Sequence, residues 1–561
     1  MTPSQTTNPT PPRPDPCRWP RAEAARAFDH FRQAAPGSQR QYASEQDIPR
    51  STLGYWLRRD DPADLDPDLL AFLRSGCGEA FLRRVVLAAL TTFQLQGACG
   101  IRLVGTFLER AGLDHFVGSS RGALHPLAAH LESDLVAFRD QEQPTLARQM
   151  KPKDITVVAD EHFHSRKPCL VGLEPVSGFL LVECYRDRRD AATWQGALAE
   201  GTAGLPVAVI QLTSDLARAL VCCAEEGLHA AHSPDLFHGQ RDLLKPLLLP
   251  LNRPVRQAEK ELEAATLRSE RLDTPLEEPQ SGEEVLALIE AVRQEQAISN
   301  RLEQARQQQE EAVQQVRGVG DDYHPFDRAT GKPVTAEEVG QRLTAHVDRL
   351  TEVAAEAGLG EKAQQAVNKS RAWLGVLAGC VAWFWCLAKA RVEELELSEE
   401  QERVVYEKLL PGHYWGVAAG RARTAGERKR LKEMAEELKE EAWQGGGALS
   451  SLAEEERREV EEVARQTAGL FQRSSSCVEG RNGRLSLQHH GQSRVSERRL
   501  RALTVIHNYL VQRADGTTAA ERFFGAKHKD VFSWLLERLP DLPRPAEKRR
   551  KTAPSGLQEA G

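Results

Sequence analysis

The sequence predicts an α/β core that is preceded by a helix–turn–helix region and interrupted by a large all-α insertion. Three observations carry this expectation. Short β-branched runs begin at Ile155 and follow the order strand, strand, strand, helix, strand, helix, strand. From about Lys245 to Gln472 the chain reads almost wholly as helix, with Glu/Lys/Arg-rich runs such as RQAEKELEAATLRSERL. Three acids stand at chosen points: Asp160 in ITVVADEHFH, Asp215 in AVIQLTSDLARAL and Glu479 in SSSCVEGRNGRLS.

Composition bounds the rest. With 561 residues the chain can build several cores, and its formal charge of −7 hides a basic end. Residues 481–561 hold 16 Lys and Arg against 8 Asp and Glu, a net +8. That balance suits a nucleic-acid partner, although a solubilising tail has the same charge. The ten cysteines lie singly apart from Cys222 and Cys223, without a Cys-x-x-Cys pair. This pattern argues against a zinc ribbon or disulfide framework and for a reducing, cytosolic setting. No signal peptide is expected in the polar, proline-rich residues 1–20. The apolar run Ala372 to Ala388 has the short end of membrane-spanning length. Its charged helical flanks favour a buried helix, so a soluble protein with no membrane partner is expected.

In chain order, residues 1–20 are expected to be disordered and 21–62 to form a DNA-binding helix–turn–helix. Tyr42, Ala43, Ile48, Leu53 and Trp56 fall at the apolar spacings of such a pair, and Asp47-Ile48-Pro49 breaks it. The second helix would carry Arg50, Ser51, Thr52 and Arg58 toward a DNA groove. Residues 63–150 read as helical, either a second DNA-contacting module or a scaffold. Residues 151–244 hold the strands ITVVA, CLVGLE, FLLVECY and PVAVIQL, a helix with Trp194, and a last strand near HAAHSPDLFH. A three-strand meander followed by helix, strand, helix and strand is the order of an RNase H-like sheet. In that order the first and fourth strands are neighbours, so Asp160 and Asp215 converge. Residues 245–472 form the insertion, divided at GVGDDYHPFDRATGKPVT. Residues 473–545 complete the core and close it through Phe523, Phe524, Phe532, Trp534 and Leu535. Residues 546–561 are a basic disordered tail.

Two strand-end aspartates and a helical glutamate are hard oxygen ligands for two Mg²⁺ or Mn²⁺ ions, which can clamp a phosphodiester. Each acid also has a plainer reading. Asp160 suits a solvated strand end, Asp215 an N-cap for LARAL, Asp235 another N-cap after Ser233-Pro234, and Glu479 a serine-rich surface loop. Gly480 and Gly483 would admit a DNA backbone, with Arg481 and Arg484 on its phosphates. Glu161 should point to the opposite strand face from Asp160. A rival constellation places Asp160, His162 and His164 on one face as zinc ligands, with His229, His232 and His238 in reserve. No helical His-Glu-x-x-His supports it.

The combination VVADEHFH, LTSD, PDLFHGQRDL, VEGRNGRLS and NYLVQRADGTTAAERFFG resembles the DDE-type transposases of bacterial insertion sequences, over roughly residues 40–545. The resemblance implies an RNase H-like enzyme with a helical insertion before its last catalytic glutamate. It implies two-metal cleavage of DNA at element ends and strand transfer into target DNA by at least a dimer. Asp160, Asp215 and Glu479 match its catalytic and metal-binding acids. Asp235 and His238 match an Asp-x-Phe-His signature beside the metals. A catalytically inactive, transposase-derived DNA-binding protein is the alternative.

Overall fold

Five strands form one mixed sheet in the order β3-β2-β1-β4-β5. They are β1 (Lys153–His164), β2 (Lys167–Glu174), β3 (Phe179–Tyr185), β4 (Val207–Ser214) and β5 (Ala231–Pro234). β1, β2 and β3 are an antiparallel meander, whereas β4 and β5 run parallel to β1. The computed structural model describes residues 30–31, 38–50, 53–54, 66–273, 281–491 and 495–545. The expected disorder of 1–20 and 546–561 lies outside these residues. Contacts divide the described residues into two units, one within 144–485 and 514–526 and another within 30–143, 486–513 and 527–545.

In the sheet-bearing unit, period-2 alternation assigns the two faces of β1. Glu161 accepts a hydrogen bond from the fully buried Trp194 of the helix Ala191–Thr202 at 3.2 Å, which marks one face. Thr156 marks the other: its hydroxyl donates to the Leu470 carbonyl at 3.0 Å. The even-numbered side chains of β1 therefore meet the segment that leads to Glu479. Phe523 stacks on Phe179 of β3 with ring centres 4.4 Å apart, and the Lys153 ammonium donates to the Phe523 carbonyl at 2.7 Å.

The helical part starts earlier than 245. The helix Leu236–Leu272 begins directly after β5 because Asp235 caps it, and it continues through Pro246, Pro250 and Pro254. It pairs antiparallel with Gly282–Asp322. Asn252, Glu259, Glu261 and Thr266 meet Gln309, Arg306, Arg301 and Glu295 in descending order. Capping boxes at Ser281/Glu284 and Thr335/Glu338 fix where Gly282–Asp322 and Ala336–Glu356 start. The expected break is present between them, closed by a bridge from Phe326 to Pro333. The helix Glu361–Glu393 is long and apolar enough to cross a membrane. Its Leu374, Leu377, Val381, Phe384 and Ala388 belong to the core that Tyr323, Phe326, Tyr414, Trp415 and Phe471 complete.

The other unit is helical, with Gly76–Ala89, Ile101–Arg110, most of Arg121–Gln149, Glu497–Val505 and Val531–Arg538. Phe138 lies edge-on to Tyr509 and Trp534 at its centre. Arg499 is buried against Glu132 and donates to the Gln94 carbonyl at 2.6 Å. The closing aromatic element expected from Phe523 to Leu535 is therefore two elements. Phe523 and Phe524 pack on the sheet, while Trp534 and Leu535 belong to this helical unit. In the expected helix–turn–helix, Tyr42, Ala43, Ile48 and Leu53 are buried, Gln39–Glu45 is helical and Arg50 is exposed. Ser51, Thr52, Trp56 and Arg58 lie outside the described residues.

Candidate functional site

The sheet register sets up a row of aspartates. Val158 of β1 pairs with Thr213 of β4, and Thr213 pairs with Ser233 of β5. Asp160 stands two residues further along β1, and Asp215 and Asp235 follow directly after the last residues of β4 and β5. The ladder continues to this row, since Asp235 N–H donates to the Ser214 carbonyl at 2.7 Å. Asp160 is not at the end of its strand, because β1 runs on to His164 against β2. The parallel pairing with β4 stops at Val158, however, and that opens the edge on which Asp160 and Asp215 sit.

The three aspartates have different surroundings. Asp235 is sealed from solvent and saturated. One of its oxygens accepts the Phe237 N–H at 2.9 Å as the helix N-cap, and the other accepts from His238 Nδ1 at 2.5 Å and from the Ser475 hydroxyl. Burial raises its pKa, but the hydrogen bonds from His238, Ser475 and Phe237 outweigh burial and hold it below the usual value. The same bond to Asp235 raises His238. Asp235 and His238 thus belong to the start of a helix rather than to a fifth strand.

Asp215 does not cap the helix that follows. That helix starts at Arg218, and the Asp215 carboxylate instead accepts from Ala217 N–H at 3.1 Å in a local turn. Asp160 is pushed up to about 6, chiefly by burial; the negative charges of Asp215 and Glu161 push the same way, against the Glu161 N–H and the His238 charge. The Asp215 carboxylate is therefore near enough to act on Asp160.

Glu479 lies in the first turn of the helix Ser476–Gly491, where an acid is favoured by the free N–H groups. One ligand atom each from Glu479, Asp235 and His238 fall within 4.8 Å of one another. Asp160 and Asp215 are outside that tight group, and His238 joins the two sets because it is coupled to Asp160. One turn after Glu479, the Asn482 amide donates to Asp160 at 2.8 Å, and its Oδ1 is buried without a partner. Asn482 joins the candidate cluster although no motif in the sequence singles it out; its i+3 spacing from Glu479 is the signal that could have pointed to it.

The remaining candidates separate cleanly. Arg481 does not face solvent: it is buried and forms a two-pronged pair with Glu183, both contacts 2.6 Å. A helix of 3.6 residues per turn turns Arg481 toward the sheet and leaves Gly480, Gly483 and Arg484 exposed. Glu161 is held by Trp194 and by Arg189 at 3.4 Å, on the face opposite Asp160 as expected. The rival histidine set is not gathered: among the described residues the one metal-competent group contains only His238 of those five histidines. His232 is lowered to about 4 by burial and bonds Ser214 at 2.9 Å.

A family profile described as a family of unknown function (DUF6399) matches residues 405–551, which include Glu479, Arg481 and Asn482. No curated protein and no solved structure matches the chain.

Proposed function

We propose that the chain is a DDE-type DNA transposase with an RNase H-like core, which cleaves DNA at the ends of its element and joins them to target DNA. The observation that carries this reading is the placement of Asp160 on β1 and of Asp215 directly after the adjacent parallel strand β4, with the Glu479 helix bonded to Asp160 through Asn482. The donor set fits two hard divalent cations, Mg²⁺ or Mn²⁺. Asp160, Asp215 and Glu479 offer carboxylate oxygens, and among the described residues none of them pairs with Lys or Arg. Asp160 is also desolvated among like charges, a setting that a bound cation would relieve. Such ions would supply an activated water and neutralise charge at the scissile phosphate.

The chain's own residues would then divide the work. Asp160, Asp215 and Glu479 hold the cations, and Asn482 orients Asp160. Asp235 keeps a proton on His238 Nδ1, which leaves Nε2 as the ring nitrogen that can exchange one at a reacting oxygen. Exposed Arg484 beside Gly480 and Gly483, and exposed Arg50, would meet DNA phosphates. The protein would act in the cytoplasm on DNA, as a homodimer or larger assembly when two ends are brought together.

The test is Mg²⁺- or Mn²⁺-dependent nicking of DNA carrying the element's flanking ends. Asp160→Ala, Asp215→Ala and Glu479→Ala should each abolish it while DNA binding persists. Nicking that survives all three, or that needs zinc and His162, would overturn the reading.

A further inference from the structure

The all-α insertion leaves the sheet and returns to it at one point. Leu236 N–H, the first of the outgoing helix, donates to the Arg473 carbonyl at 2.9 Å. The side chain of the same arginine reaches into the insertion. Its Nη1 donates to the carbonyls of Gly320 (2.7 Å) and Tyr323 (3.2 Å) and to His324 Nε2 at 2.8 Å. The helix Gly282–Asp322 ends there, and its last carbonyls have no partners within the helix, so a guanidinium is a favourable cap. His324 is fully buried and held well below its ordinary value, chiefly by burial. Its neutral ring can accept from Arg473 and share a proton with the Tyr414 hydroxyl, 2.6 Å away. One residue thus caps the end of one long helix and receives the first N–H of another.

The next links lead to the site. Ser475, two residues on, donates to Asp235, and the Ser475 carbonyl accepts the Glu479 N–H at 3.1 Å. The insertion also meets the His238 turn elsewhere: a Cβ placed on Gly239 would lie 2.1 Å from the Trp373 ring. We propose that Arg473 is a positioning residue through which the all-α insertion sets the geometry of Asp235, His238 and Glu479. The insertion is then part of the catalytic device and not a spacer. This rests on the site reading given above.

The experiment compares the full-length chain with Arg473→Met and Arg473→Lys. Two readouts are followed: nicking kinetics with Mn²⁺, and the imidazole resonances of His238 under ¹⁵N-histidine labelling. In Arg473→Met, kcat should fall about 10- to 100-fold with KM for DNA little changed, as expected for a misplaced reacting group. The His238 resonances should move. Lysine, whose ammonium also donates several hydrogen bonds from one nitrogen, should recover most of the loss. A folded Arg473→Met with unchanged kcat and unmoved His238 signals would overturn the proposal, as would a lysine variant no better than methionine. If the methionine variant does not fold, Tyr414→Phe removes only the hydroxyl on His324 and should shift His238 in the same direction; no shift would count against the proposal. Unmutated protein without nicking would sink the transposase reading alone, since the His238 signals still decide this one.

Discussion

The Asn482 amide donates to Asp160 Oδ2 at 2.8 Å, and this bond joins the Glu479 helix to the central strand of the sheet. Asp160 Oδ1 meanwhile accepts the Glu161 N–H at 2.8 Å, so both oxygens are oriented and each retains a lone pair. Outer groups that orient a ligating carboxylate commonly contribute 10- to 100-fold in metal affinity or activity. If Asp160 holds a cation as proposed, Asn482→Ala should weaken Mn²⁺ binding by roughly that factor. Its thermal stability without metal should change little by comparison. Mn²⁺ titration followed by electron paramagnetic resonance checks the first part and calorimetry the second. Equal Mn²⁺ affinity in both proteins would show the bond to be incidental.

The raised pKa of Asp160 makes a prediction about stability. Its folded-state pKa of about 6 lies above the ordinary carboxylate value, so the native protein binds the extra proton. Stability without metal should fall as pH rises from about 4 to about 6 and then level off, a loss of roughly 2–3 kcal/mol. Asp160→Asn removes that charge. It should melt higher than the unmutated protein at pH 8 and equal it near pH 4. The added amide can be accommodated if Asn482 turns its buried, unpartnered Oδ1 toward it. A variant that melts lower at pH 8 would mean that the carboxylate is already compensated.

How much of this was legible in the sequence depends on what each element rests upon. The strands and their order were readable because period-2 and buried β-branched runs are local signals, as in ITVVA and PVAVIQL. Asp160 and Asp215 stand out as candidates for the same reason, since an acid ending an apolar run is visible without coordinates. The start of the insertion was placed too late because Asp235 works twice: its N–H ends the ladder on the Ser214 carbonyl, and its carboxylate caps the helix that begins at the next residue. Arg481 was misassigned because helix phase depends on where the helix starts. The helix starts at Ser476, and the partner Glu183 lies almost three hundred residues away in sequence. Long-range pairs of this kind leave no local pattern.

Arg481 and Arg484 should behave oppositely, although they are one turn apart on a basic helix. Breaking a buried pair strands the other charge, which typically costs about 3–5 kcal/mol. Arg481→Ala should lose stability on that scale in urea melts, with little dependence on salt. Arg484→Ala should leave stability within about 0.5 kcal/mol. If the proposed DNA contact holds, it should lower the slope of log affinity against log salt by about 1. An Arg481→Ala variant of normal stability would contradict the buried pair with Glu183.

Asp235 offers the sharpest separation of a local from a functional role. As an N-cap it contributes about 1 kcal/mol, which Asp235→Ala should lose and Asp235→Asn should keep, because an asparagine oxygen can accept the same Phe237 N–H. Its bond to His238 is a different matter. The chief cause that raises His238 is this bond, and burial acts against it. In Asp235→Asn the histidine should therefore titrate lower than in the unmutated chain. The sign for stability follows from linkage. A histidine raised in the folded state stabilises the protein fully below its unfolded value, and that contribution is lost as pH rises through the folded value. The unmutated protein should show this loss just above the ordinary histidine range, and Asp235→Asn should not. Histidine NMR titration gives the first quantity, and melting temperature against pH gives the second. If His238 titrates alike in both proteins, the buried aspartate is a helix cap only, and the proton held on Nδ1 has another source.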